Sequence, residues 1–219
     1  MSDIQIKMLP LPSVFLMEAE VPDKHVETLN NYLDNLLEDK NRKSAATTLV
    51  GQIQHGEQLM LDHMDSKLEE FRYYLQHMAV TYVTNFFAMT GQQLDGNRDI
   101  AIDELWSDHG TQTMMGISCT TWTKVPDKIV AQPSTGDLNY NLYNSSGDCD
   151  GYIAFNYGQS ATTDKERLKP TQCVVMKPEV GKMYLFPSWL QHMVYPFQGE
   201  GERRTVAANL NAFRVENNE

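Results

Sequence analysis

Gly181-Lys182-Met183-Tyr184-Leu185-Phe186-Pro187-Ser188-Trp189-Leu190-Gln191-His192, followed by Pro196 and then by Arg203-Arg204-Thr205-Val206-Ala207-Ala208-Asn209, is the stretch on which the fold reading turns. It predicts a turn at Gly181, a buried strand ending at the polar His192, a short reversal, and a return strand that opens with a cation. With the two strands as antiparallel neighbours, side chains on one face recur at every second residue, so His192 and Arg203 open into one cavity. An imidazole can hold a metal ion there, and a guanidinium can hold a carboxylate in a fork. Alternation puts Arg203, Thr205, Ala207 and Asn209 on one face, with the small Ala207 leaving room beside them. Arg204 then points the other way, and a one-residue slip would exchange the two arginines.

Working outward, short apolar or alternating runs separated by Gly, Pro, Asn and Asp predict strands over 100–106, 114–124, 138–143, 152–156, 173–177, 183–186 and 205–213. Before the glycines at 91 and 96 the pattern is helical. Val26, Leu29, Leu33 and Leu36 make one apolar face over 23–37, and Leu68, Phe71, Leu75, Met78, Tyr82 and Phe86 make a second stripe that Gly91 can stop. Apolar stripes of this kind are core far more often than cofactor contacts. Helices followed by many strands predict an α+β fold, mainly β: a distorted double-stranded β-helix, or jelly roll, with the N-terminal helices packed on one face. One domain over 1–219 is expected, with 1–96 as helical brace and outer strands and 97–219 as the jelly-roll core. The polar segment 158–170 is a candidate lid.

A formal charge of -11 argues against a nucleic-acid backbone or an anionic membrane as the main partner, while a local basic pocket for a small dicarboxylate stays compatible with it. Cys119, Cys149 and Cys173 form no C-x-x-C pair, so neither a zinc knuckle nor a disulfide framework is expected. No window reaches the apolar length of a membrane span and the N-terminus does not read as a signal peptide, so a soluble, cytoplasmic protein is expected.

The ordered residues Pro178, Gly181, Phe186, Pro187, His192, Val194, Pro196, Arg203, Thr205 and Asn209 resemble the C-terminal half of the Fe(II)/2-oxoglutarate-dependent dioxygenases, in particular small prolyl-hydroxylase-like members often found in phages. The resemblance implies Fe(II) and 2-oxoglutarate as cofactors, with succinate and CO2 released as an unidentified substrate is hydroxylated. It further implies that His192 binds iron and that Arg203, Thr205 and Asn209 hold the cosubstrate. The implied partner is a small-molecule or peptidyl substrate, a homodimer is compatible, and a phage-encoded member would work in the host cytoplasm.

Such sites need two His and one carboxylate on one side of the metal, and H-x-D or H-x-E on an early strand is the usual source of two of them. His25-Val26-Glu27, His55-Gly56-Glu57 and His63-Met64-Asp65 match in letters but precede the β-rich region. His25 and His63 fall on predicted helices, where i and i+2 diverge by about 200°, so solvent-facing or capping roles are expected of them. His55 stays open.

The family's ligand position falls in Trp106-Ser107-Asp108-His109-Gly110-Thr111, and the resemblance implies Asp108 and His109 as the metal companions of His192. A His that relatives carry just before Asp108 is absent, and adjacent residues face one ion only through a bulge or tight turn. A second arrangement has His109 and His192 as the protein ligands with Thr111 in the carboxylate's place, as iron-dependent halogenases use a small residue. Tyr184 reads either as a cosubstrate contact or as core, Trp189 as packing on the pocket rim, and Asn139, Asn141 and Asn156 as candidate channel residues. The rival from another class is a non-catalytic jelly-roll binding or structural module that has lost an iron ligand. A cupin-like metal hydrolase or isomerase would want more His on its strands.

Overall fold

The computed structural model describes residues 14–45, 56–92, 98–103, 115–132, 149–158 and 172–214. Within them the order is β1 (Met17–Glu20), α1 (Asp23–Glu38), a 3-10 turn (Ser66–Leu68), α2 (Glu69–Thr90), β2 (Arg98–Asp103), β3 (Met115–Lys124), α3 (Asp127–Val130), β4 (Ile153–Asn156), β5 (Cys173–Met176), β6 (Lys182–Pro187), β7 (Gln191–Val194) and β8 (Arg204–Arg214). The molecule is therefore α+β and mainly strands.

All pairings between these strands are antiparallel, in a five-stranded sheet of order β1-β6-β3-β8-β2 and a three-stranded sheet of order β5-β4-β7. Period-two alternation gives the large sheet two different faces. Ile117, Cys119, Met183, Leu185, Val206, Leu210 and Ala212 face the helices and form one core with Val26, Leu29 and Leu33 of α1 and Phe71, Leu75, Ala79, Tyr82 and Val83 of α2. Trp122, Tyr184 and Phe186 face the other way and pack with Ile153 and Phe155 of the small sheet. The outer face of the small sheet is closed by Ile129 of α3, packed with Tyr152, Ala154, Cys173 and Val175.

α1 starts after Pro22, with Asp23 in its first turn, where a carboxylate complements the helix dipole. α2 ends at Gly91, whose φ of 68° is the left-handed conformation that terminates helices, and the Gly91 N–H donates to Ala88 O at 3.3 Å. Among the described residues no helix is long and apolar enough to cross a membrane.

Several expectations change. The strand carrying His192 and the strand that follows Arg203 are not neighbours: β7 pairs with β4 in the small sheet, while β8 lies between β3 and β2 in the large one. The predicted single strand through His192 breaks at the turn after Pro187, where Leu190 N–H donates to Pro187 O at 2.9 Å, and the chain crosses to the other sheet. β1, too short for a periodic signal, pairs with β6. His25 is 5% exposed rather than solvent-facing, its ring 5.2 Å from that of Tyr74. His63 precedes the 3-10 turn instead of lying on a helix, and it is Asp65 that caps, accepting from Lys67 N–H at 2.9 Å. The predicted strand at 138–143 with Asn139 and Asn141, together with His55, Asp108, His109, Thr111 and all but the first residue of the 158–170 segment, lies outside the described residues.

Candidate functional site

The inner faces of the two sheets define the space in which the predicted residues meet. His192 is paired with Phe155 across β4 and β7, so both side chains project toward the large sheet. Its ring lies edge-on to Phe186 of β6, at 4.8 Å between centroids. Nδ1 is 2.9 Å from Leu190 O. That bond places the proton on Nδ1 and leaves the Nε2 lone pair outward, the arrangement that orients an imidazole for a metal.

From the opposite sheet, β8 presents Thr205, Ala207 and Asn209, all exposed, on its inner face. Ser118 Oγ on β3 donates to Asn209 Oδ1 at 2.8 Å, which fixes the amide. His192 and the Thr205 to Asn209 face thus approach one inter-sheet space from two sheets, not along one.

Arg203 lies just before β8 and reaches across to the small sheet. Its Nη1 donates to Gly151 O at 3.1 Å and to Tyr195 O at 3.3 Å, and its guanidinium lies 5.4 Å from the Phe197 ring centroid. Nε is buried without a partner, and among the described residues no carboxylate pairs with this cation. Burial pulls its pKa below the usual guanidinium value. Arg203 and His192 sit toward opposite ends of β7, since Tyr195 follows that strand and His192 is near its start, a separation of about 10 Å at the strand rise.

Arg204 has the contrary environment. It is 7% exposed, turned toward α1, and donates to Glu202 Oε1 at 2.7 Å, Asp34 Oδ1 at 2.7 Å and Asn30 O at 3.2 Å. Burial opposes its charge, but the two carboxylates outweigh that and raise its pKa. Of the two arginines, then, the one left without an acid faces the small sheet.

Three secondary expectations are resolved or corrected. Tyr184 is core: it is 1% exposed and its hydroxyl donates to Glu18 Oε2 at 2.9 Å. Trp189 is 65% exposed, and Leu190, 2% exposed, takes the inward place in that turn. Asn156 shares the outward face of Cys173 and Val175, away from the inter-sheet space. The sequence reading missed that the fold seats Arg203 on the carbonyls of Gly151 and Tyr195, a contact that no local spacing announces.

Residues 113–209 match a family model described as "Putative 2OG-Fe(II) oxygenase". The matched stretch, less than half of the chain, contains His192, Arg203, Thr205 and Asn209 and begins after Asp108 and His109. No curated protein matches the chain. Among the described residues no three His, Cys, Asp or Glu side chains group as a metal site. The donor set does fit the second group that the family's description implies: Arg203, carbonyl-held and with an orphaned Nε, has the chemistry of a carboxylate receptor.

Proposed function

We propose that this chain is an Fe(II)- and 2-oxoglutarate-dependent oxygenase that hydroxylates a small-molecule or peptidyl substrate on a distorted jelly-roll scaffold. The jelly-roll reading is supported by the way the chain from β3 to β8 passes back and forth between two facing antiparallel sheets. The observation that carries the functional reading is Arg203, a half-buried cation with an occluded, unpartnered Nε and no acid beside it among the described residues, within the stretch matching the oxygenase family. A guanidinium partly withdrawn from water, with no carboxylate beside it, gains from an anion that arrives with the ligand.

In this reading Arg203 holds the distal carboxylate of 2-oxoglutarate, Thr205 adds a hydroxyl donor and Asn209 orients the chain of the cosubstrate. His192 Nε2 is one iron ligand, with Asp108 and His109 as its companions. Bound iron and 2-oxoglutarate supply the oxidising chemistry, with succinate and CO2 as coproducts. The protein supplies orientation and a wall of Phe155, Phe186 and Trp122 that limits water.

The test is thermal stability with and without Mn(II) plus 2-oxoglutarate. At ligand concentrations about a hundredfold above Kd, Tm rises by about 5–10 °C. Arg203→Ala weakens 2-oxoglutarate binding at least about tenfold, and Arg203→Lys, which keeps charge but not the fork, restores it only in part. No ligand-dependent shift in the wild type would favour a non-catalytic module.

A further inference from the structure

We infer that His25 makes the packing of α1 on α2 a proton-sensitive joint: the neutral imidazole closes it, and uptake of a proton loosens it. His25 is 5% exposed, in the first turn of α1, with its ring 5.2 Å from that of Tyr74 and 5.9 Å from that of Phe71, both on α2. A neutral imidazole sits between such rings at little cost. An imidazolium there is withdrawn from water, and the aromatic faces return only part of what it loses.

The groups around the ring do not favour a further charge. On α1, Lys24 is the next residue and carries the same sign, and the first turn is the positive end of the helix dipole. Asp23 and Glu27, two positions away on either side, are exposed and diverge from His25 by about 200° around the helix. From α2 the facing carboxylate is Glu70, 78% exposed and already paired with Lys24 at 3.0 Å. The Tyr74 hydroxyl donates to Glu20 O at 2.8 Å, and behind Tyr74 the large sheet contributes Cys119, a thiol that burial pushes up to about 12 and so keeps neutral. Burial, with Lys24 adding to it and Glu70 opposing it, lowers the pKa of His25 below its ordinary value.

The sign follows from linkage. A histidine whose folded pKa is lowered stabilises the packed state fully above the unfolded value of about 6.5, and that contribution is lost as pH falls towards the folded value. Asp34 and Glu202, with carboxyls held below their ordinary pKa, lose their charges in stronger acid, so the two effects occupy separate ranges. The joint also reaches the large sheet, because α1 carries Asn30 and Asp34, which hold Arg204 at the start of β8.

The test follows the full chain by NMR from about pH 7 to about pH 5. The His25 imidazole is assigned by its loss in His25→Phe or, should that variant not fold, by its through-space contacts to the Tyr74 and Phe71 rings in the wild type. The expected result is an imidazole that titrates below about 6.5, and α1 amides whose protection from hydrogen exchange falls at least about twofold on acidification. Asp34→Asn/Glu202→Gln keeps that fall and His25→Phe lacks it. A His25 that titrates at or above about 6.5, or α1 protection that stays constant or falls equally in His25→Phe, would overturn the inference.

Discussion

Arg203 and Arg204 are adjacent in the chain and opposite in physics. Arg204 neutralises its burial with Asp34 and Glu202, tying β8 to α1, whereas Arg203 rests on two carbonyls and an aromatic ring. The first is structural, and in the proposed reading the second receives the anion. The carboxyl of Asp34 is held below its ordinary pKa by its hydrogen bond to Arg204. At Glu202 burial works the other way, but the bonds to Arg204 and Lys124 prevail and lower its pKa too. For carboxyls with depressed folded-state pKa, the stabilisation is complete above the unfolded value of about 4 and disappears as pH falls through the folded value. Thermal melts between pH 6 and pH 3 should show Tm falling in acid more steeply for the wild type than for Asp34→Asn/Glu202→Gln, whose Tm at pH 6 is already a few degrees lower. Equal slopes would remove the clamp from the account.

At the scale of elements, the decisive piece is the turn between β6 and β7, because it carries His192 from the large sheet into the small one. It is docked on β3 by Ser188 N–H donating to Gly116 O at 3.0 Å. A Cβ on Gly116 would lie 2.2 Å from Ser188 Oγ and 3.0 Å from Ser188 Cβ, so only a residue without a side chain lets the turn seat there. Gly116→Ala should therefore cost about 1–3 kcal/mol of stability and weaken Mn(II) binding through displacement of His192, with Ser188→Gly restoring both in the double variant. Chemical denaturation and metal titration measure the two effects. Unchanged metal affinity in a destabilised Gly116→Ala would separate the turn from the site.

This turn also shows where sequence reading succeeds and stops. Alternation placed Arg203 and Arg204 on different sides correctly, and Gly91 as the end of α2, because those signals are local. The strand at 183–186 is legible and matches β6, but the reading that carries it on to His192 misses the change of sheet, since no periodicity says which sheet a four-residue strand such as β7 joins. Pairings such as β1 with β6, or the seat of Arg203 on Gly151 and Tyr195, are made by residues distant in the chain. His25 was misplaced for a related reason: its burial depends on Phe71 and Tyr74 of another helix.

For the whole molecule, the helices cover one face of the large sheet and leave its other face to meet the small sheet. A site assembled across two sheets gains from this division, since the scaffold is braced on the far side and the inter-sheet space can hold polar groups without breaking the main core. The proposed function then makes a sharper demand than two neighbouring strands would: in that reading His192 from one sheet and Arg203 at the junction of both serve one bound molecule. Isothermal titration of 2-oxoglutarate with and without Mn(II) measures that demand directly. The account predicts at least about tenfold tighter 2-oxoglutarate binding in the presence of Mn(II), with that gain lost in His192→Ala and the underlying binding lost in Arg203→Ala. Equal affinity with and without metal, or a gain that survives His192→Ala, would contradict it.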